Sequence, residues 1–165
     1  TVALIEKAGG RAFALQADLE DAAERDSLVE RVVARADRLD ILVNAAGFAQ
    51  YATVEQMPDA FFEATFDHYL RAPFKLAQAA IPVMRAQGEG WVVNVGSVTA
   101  ERPAKPYDDF ARQGGATIYG AMKAALSRFT QGLAAEIEEH GIAVNQIAPT
   151  GAISTPGADR YIPDG

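Results

Sequence analysis

The chain contains no cysteine. That excludes a disulfide framework and a thiolate metal centre, and it fits a reducing, cytoplasmic setting. Basic charge is scarce: 15 Lys and Arg stand against 22 Asp and Glu, a net charge of −7. Nucleic acid and anionic membrane surfaces are therefore poor partners. No apolar run approaches the length of a membrane span, and no signal peptide, internal repeat, low-complexity tract or linker is visible. What remains is 165 residues, 49% hydrophobic and 22% charged, which suits one domain over 1–165 with a sizeable core.

Strand-like and helix-like stretches alternate along that domain. Residues 1–8 read as helix, stopped by Gly9-Gly10. Arg11 to Gln16 (RAFALQ) reads as a short strand closed by Ala17-Asp18-Leu19, and about 20–37 as a second helix. Ile41-Leu42-Val43 is wholly apolar, as a strand covered on both faces requires, and it runs into Asn44-Ala45-Ala46-Gly47. Pro58 suits the start of a long helix to about Met84, with a kink expected at Pro73 and an end at Gly88-Glu89-Gly90. Trp91 to Val95 is a third strand and 99–115 a polar loop. A helix follows to about His140 with Gly141 as its cap, and Ala143 to Ala148 is a fourth strand. Such alternation implies right-handed crossovers and a parallel sheet: an α/β, doubly wound, Rossmann-like fold in three layers. Ligands bind outside the C-terminal ends of the strands in that architecture. Asp18, 44–47, Ser97 and 149–155 all fall there.

The helix opened by Tyr119 carries the chemistry. Met122, Leu126, Phe129, Leu133 and Ile137 form its buried stripe. Tyr119 and Lys123 stand one turn apart, so their side chains are neighbours. A free phenol has a pKa near 10, too high for ready proton exchange at neutral pH, and a nearby ammonium lowers it. Ser97, ending an apolar strand, is placed to hold a substrate oxygen beside that phenol. Simpler readings stand beside these: Ser97 as a turn serine, Asp18 as a helix N-cap, Asn44 as a strand-end cap. His140 is a dipole partner at a helix C-terminus. His68 has no partner evident in the sequence.

Together these motifs resemble the short-chain dehydrogenase/reductase family along nearly the whole chain. They are Asp18 after RAFALQ, DILVNAAG from Asp40 to Gly47, NVGS ending at Ser97, Tyr119-x-x-x-Lys123, and NQIAPTG from Asn145 to Gly151. The resemblance implies an NAD- or NADP-dependent oxidoreductase acting on a carbonyl or alcohol of a small organic substrate. Tyr119 would be the general acid/base. Lys123 would lower its pKa and bind the nicotinamide ribose, and Ser97 would orient the reacting oxygen. Asp18 would contact the adenine. Asn44, Ala45, Ala46 and Gly47 would line the adenosine side and brace the sheet. Pro149, Gly151 and Thr155 would lie near the nicotinamide and pyrophosphate. A homodimer or homotetramer through the 58–84 helix and the Tyr119 helix is also implied, with no metal.

Three features depart from the family pattern. The Gly-rich phosphate-binding turn is absent, so the first strands and that turn are expected upstream of Thr1 and the last strand beyond Gly165, making the fold incomplete at both ends. Tyr69 occupies the place of an asparagine whose backbone helps hold a relay water. Ser97 and Tyr119 are widely spaced, and the loop between them, with Tyr107, Asp108, Asp109, Phe110 and Arg112, is expected to fold over or beside the pocket. The second reading is therefore a cofactor-sensing or scaffolding protein acting through dimerisation. A serine hydrolase comes third, since Ser97 lacks the G-x-S-x-G elbow.

Overall fold

The computed structural model describes residues 1–48, 50–101, 105–114, 117–150 and 153. Helix α1 (Val2–Lys7) buries none of its residues and is followed by Gly9 at φ +85°. Helix α2 (Ala22–Ala36) starts at Asp21, whose carboxylate accepts a hydrogen bond from the Glu24 amide, satisfying one of the free donors of the first turn. Strand β1 (Ile41–Asn44) leads to α3 (Asp59–Phe66), a π-turn (Asp67–Arg71) and α4 (Ala72–Gln87), which run on without a break. Strand β2 (Gly90–Val95), the short helix α5 (Asp109–Arg112), helix α6 (Thr117–Ile137) and strand β3 (Ile142–Ile147) complete the order.

The strands pair in parallel in the order β1-β2-β3, in a register that aligns Asn44 with Asn94 and Val92 with Val144. Alternate side chains point to opposite faces of the sheet. Val92 and Val144 therefore meet Met84, Leu133 and Ile137 from α4 and α6 in the core. The opposite face stays open: Ile41 is 56% exposed, Val43 53% and Ile147 58%. The fold is a parallel, Rossmann-like α/β sheet; among the described residues it has three strands, with α4 and α6 packed on one face, so the third of the three expected layers is not seen there.

Two expectations change. RAFALQ forms no strand: among the described residues no ladder partner stands beside it, and an extended segment without a neighbour leaves its backbone groups to water. The irregularity of the long helix is a π-turn at 67–71, immediately ahead of Pro73, which is buried at the second position of α4 and has no N–H to continue the ladder. The loop read over 99–115 also gains a 3₁₀ turn (Val98–Ala100) and α5. Among the described residues no helix is long and apolar enough to cross a membrane, and no cluster of His, Asp and Glu is arranged to hold a metal ion.

Candidate functional site

The site forms where β2 ends against the first turns of α6. Ser97 is extended and opens the 3₁₀ turn, and its Oγ accepts hydrogen bonds from the Thr99 amide (3.2 Å) and hydroxyl (2.9 Å). With its acceptor side used, its own proton is free to donate. Gly120 permits close approach of the helix: a Cβ there would sit 2.6 Å from the Thr99 carbonyl oxygen. Tyr119 and Lys123 are thereby carried to the Ser97 turn.

Lys123 is only 5% exposed, and its ammonium donates to the Val95 carbonyl (2.6 Å) at the end of β2. Burial disfavours the charged amine and lowers its pKa to about 8. Tyr119 departs from expectation: burial pushes the phenol above its usual value, and the Ser97 hydroxyl pulls in the opposite direction. Lys123 sits nearer another ring, 4.2 Å from the centroid of Tyr69 and 5.7 Å from that of Tyr119. Tyr119 is flanked edge-on by Tyr69 (5.1 Å between centroids) and Tyr51 (5.8 Å). Phe110, from the loop after Ser97, packs edge-on against Tyr51 at 5.4 Å, so that loop reaches the surroundings of Tyr119 through Tyr51.

At the neighbouring strand end, Asn44 donates to Asn94 (2.8 Å), Asn94 donates to the Thr130 hydroxyl (2.9 Å), and Thr130 donates to the Leu126 carbonyl (2.7 Å). This chain ties β1 through fully buried Asn94 to the middle of α6. Asn44 thus braces the sheet. Asn44, Ala45 and Ala46 also border a cavity of about 280 Å³ with Ala17, Leu19 and His68. His68 gains a partner invisible in sequence, Glu20, at 3.0 Å from Nε2, while its buried Nδ1 has no hydrogen-bond partner. Asp18 is exposed; its carboxylate accepts from the Glu20 amide, and the helix cap is Asp21. Gly47 faces Tyr69, and Pro149 is half-buried just past β3. Gly151 and Thr155 lie outside the described residues.

The structure therefore brings Ser97, Tyr119 and Lys123 to one strand end, and Asn44 to Ala46 to the next. Asn94, Thr130, Tyr51 and Glu20 were missed. Only Asn94 carried a signal, as the lone polar side chain in the apolar run of β2.

A family model described as short chain dehydrogenase matches residues 1–164. The chain is 36% identical over 160 residues to the short-chain reductase protein NovJ of Streptomyces niveus, covering 97% of this chain and 57% of that protein. It is 32% identical over 161 residues to a cyclopentanol dehydrogenase of Comamonas testosteroni, covering 98% and 60%. A short chain dehydrogenase from Burkholderia cenocepacia J2315, solved in complex with NADP, superposes with a TM-score of 0.81 at 37% identity, over 96% of this chain and 61% of that one. The chain thus spans a little over half the length of the curated relatives it matches. With a family match over nearly every residue, and a parallel sheet that carries Ser97, Tyr119 and Lys123 to one strand end, the chain belongs to the short-chain dehydrogenase/reductase family.

Proposed function

We propose that the protein is an NAD(P)-dependent oxidoreductase that interconverts a carbonyl and an alcohol on a small organic substrate. The observation that carries this reading is the convergence of Ser97, Tyr119 and the buried Lys123 at the end of β2. A scaffold role has no use for an ammonium buried at the expense of its charge.

The residues present fit a dinucleotide in two places. The cavity bordered by Asn44, Ala45, Ala46 and Ala17 has mostly apolar walls and an unpartnered buried nitrogen, His68 Nδ1, which suits the flat, hydrogen-bonding base of an adenosine. Lys123 lies at the next strand end as a donor for a ribose hydroxyl, with Pro149 nearby past β3. Among the described residues no glycine turn forms a pyrophosphate cradle. The dinucleotide, when bound, supplies or accepts the hydride.

The protein's own residues manage the proton. Ser97 donates to the substrate oxygen and holds it beside the phenol. Tyr119 gives its Oη proton to that oxygen in the reductive direction and takes it back in the oxidative one. Because burial holds Tyr119 protonated, the resting site is poised as an acid. Lys123 stands 5.7 Å from the centroid of the Tyr119 ring, where a positive charge favours loss of the phenolic proton, and the Val95 carbonyl holds it there. Tyr51 and Tyr69 pack edge-on against the Tyr119 ring and partly bury it.

Tyr119→Phe is expected to abolish turnover on a panel of ketones and alcohols while thermal unfolding stays unchanged; retained turnover removes Tyr119 from the mechanism. Fluorescence titration with NADH and NADPH identifies which is bound. A cytoplasmic location and self-association through the long helix and α6 accompany this reading. Phe74 on α4 is 45% exposed and packs edge-on with Phe129 of α6, an apolar pair suited to a subunit interface.

A further inference from the structure

Tyr69 stands inside the π-turn (Asp67–Arg71), where the long helix widens by one residue per turn, a feature that often marks functional positions. The widened turn directs the phenol between two other elements. On one side is Gly47, where a Cβ would overlap the ring and come within 2.9 Å of the Tyr69 hydroxyl. On the other is α6, where the ring meets Tyr119 edge-on and the Lys123 ammonium lies 4.2 Å from the ring centroid. Gly47 therefore makes room for a ring whose face is turned to a buried cation.

That cation is otherwise thinly held. An ammonium has three donors, and the direct hydrogen bond that Lys123 makes in this structure runs to the Val95 carbonyl. The titratable groups facing it are Tyr69 from the π-turn and Tyr119 from α6 itself. Burial raises both phenols above their usual values, so both are neutral at pH 7. The other polar side chains of the π-turn are engaged elsewhere, Asp67 with Arg71 and His68 with Glu20. Strand β2 contributes a carbonyl dipole and no charge. Among the described residues no carboxylate pairs with Lys123. The nearest remaining counterweight to desolvation is the negative face of the Tyr69 ring at 4.2 Å, with the Tyr119 ring farther off at 5.7 Å.

We infer that Tyr69 is a positioning residue, whose ring face holds the Lys123 ammonium in its charged form at the end of β2 beside Tyr119. The inference rests on the reading of Lys123 as part of a proton-transfer site, but its geometry does not depend on turnover. The ring does for the cation what a polar partner would do, without adding a group that titrates near neutral pH. It also presents Lys123 in one direction, since the ammonium is fixed between the ring and the Val95 carbonyl.

The experiment measures Lys123 directly in the intact protein, by competitive acylation across pH 6.5–10 with peptide mass spectrometry as the readout. It compares wild type, Tyr69→Phe, Tyr69→Met and Tyr69→Leu, each checked for a cooperative thermal transition. Tyr69→Phe keeps the ring face; Met fills a similar volume without one, and Leu is the second variant should Met fail to fold. The expected result is a Lys123 pKa lowered by about 0.5–1 in the Met or Leu protein, with Tyr69→Phe close to wild type. The high-pH limb of kcat/KM should move down by the same amount. An unchanged Lys123 pKa in the folded Met or Leu protein overturns the inference, as does a Phe variant that behaves like Met. If the expected titration pattern is found in a protein with no oxidoreductase turnover, the functional reading falls and the positioning role stands.

Discussion

Placing an ammonium in a site that is 5% exposed must show in stability as well as in chemistry, and Lys123→Met is the perturbation that reads it. Burial takes the Lys123 pKa from 10.5 to about 8 in the folded protein. The folded value lies below the unfolded one, so between those limits the unfolded chain binds a proton that the folded chain does not. Stability therefore rises with pH across that window. From pH 7 to pH 9.5 the rise attributable to this one group is about 1–2 kcal/mol, taking about 1.36 kcal/mol for each pH unit of the window and discounting for residual water near the ammonium. The interval stops at 9.5 for a reason. Tyr51, Tyr69 and Tyr119 are pushed upward by burial, and they reduce stability only above about pH 10, where unfolded phenols ionise. Urea denaturation at pH 7 and pH 9.5 gives the two stabilities, with equal m-values required for the comparison. Wild type should gain stability over the interval and Lys123→Met should lack that gain. The same pH difference in both proteins would show that Lys123 is not held as a disfavoured cation, and the reasoning would be wrong.

Two further outcomes are expected. Thr130→Val removes the acceptor of fully buried Asn94 and the bond from Thr130 to the Leu126 carbonyl, so it should destabilise by about 1–3 kcal/mol in urea unfolding; a loss below about half a kcal/mol would mean that the Asn44–Asn94–Thr130 chain does not tie β1 to α6. Phe74→Glu places a charge on the exposed member of the pair with Phe129 and should shift sedimentation toward monomer, whereas an unchanged assembly puts the interface elsewhere.

The parts of the fold that were legible are those whose causes are local. Ile41 to Val43 is a wholly apolar run and Trp91 to Val95 one broken only by Asn94, and both form strands, β1 and β2; the cover expected on both faces is found on one, since Ile41 and Val43 are more than half exposed. Gly88 and Gly141 were readable as stops, and both hold positive φ. RAFALQ failed for the complementary reason. Its composition favours a strand, but a strand is a paired object, and no partner stands beside it among the described residues. The irregularity expected at Pro73 takes the form of a π-turn over the residues just before it, where a proline without an N–H cannot continue the ladder of a helix that runs on through it.

The site divides along the same line. Tyr119 and Lys123 are legible because a four-residue step on a helix is a property of the chain, and Ser97 because it ends the run of β2; the structure brings the three together. What surrounds them was not found, because it is assembled across the sequence: Glu20 reaches His68 over 48 residues and Asn94 reaches Thr130 over 36. Tyr69 shows the consequence most clearly. In sequence it is a departure from the family's asparagine and reads as damage to a proton relay. In the fold it is a ring laid over the site's buried ammonium, in space that Gly47 leaves by having no side chain. A substitution that removes one partner of a buried cation is tolerable where another partner of different chemistry takes its place, and an aromatic face is such a partner because it stabilises charge without needing a proton or a counter-ion. The departing ring therefore occupies space that a glycine of the family motif leaves open, and a side chain at position 47 would disturb Lys123 by way of Tyr69.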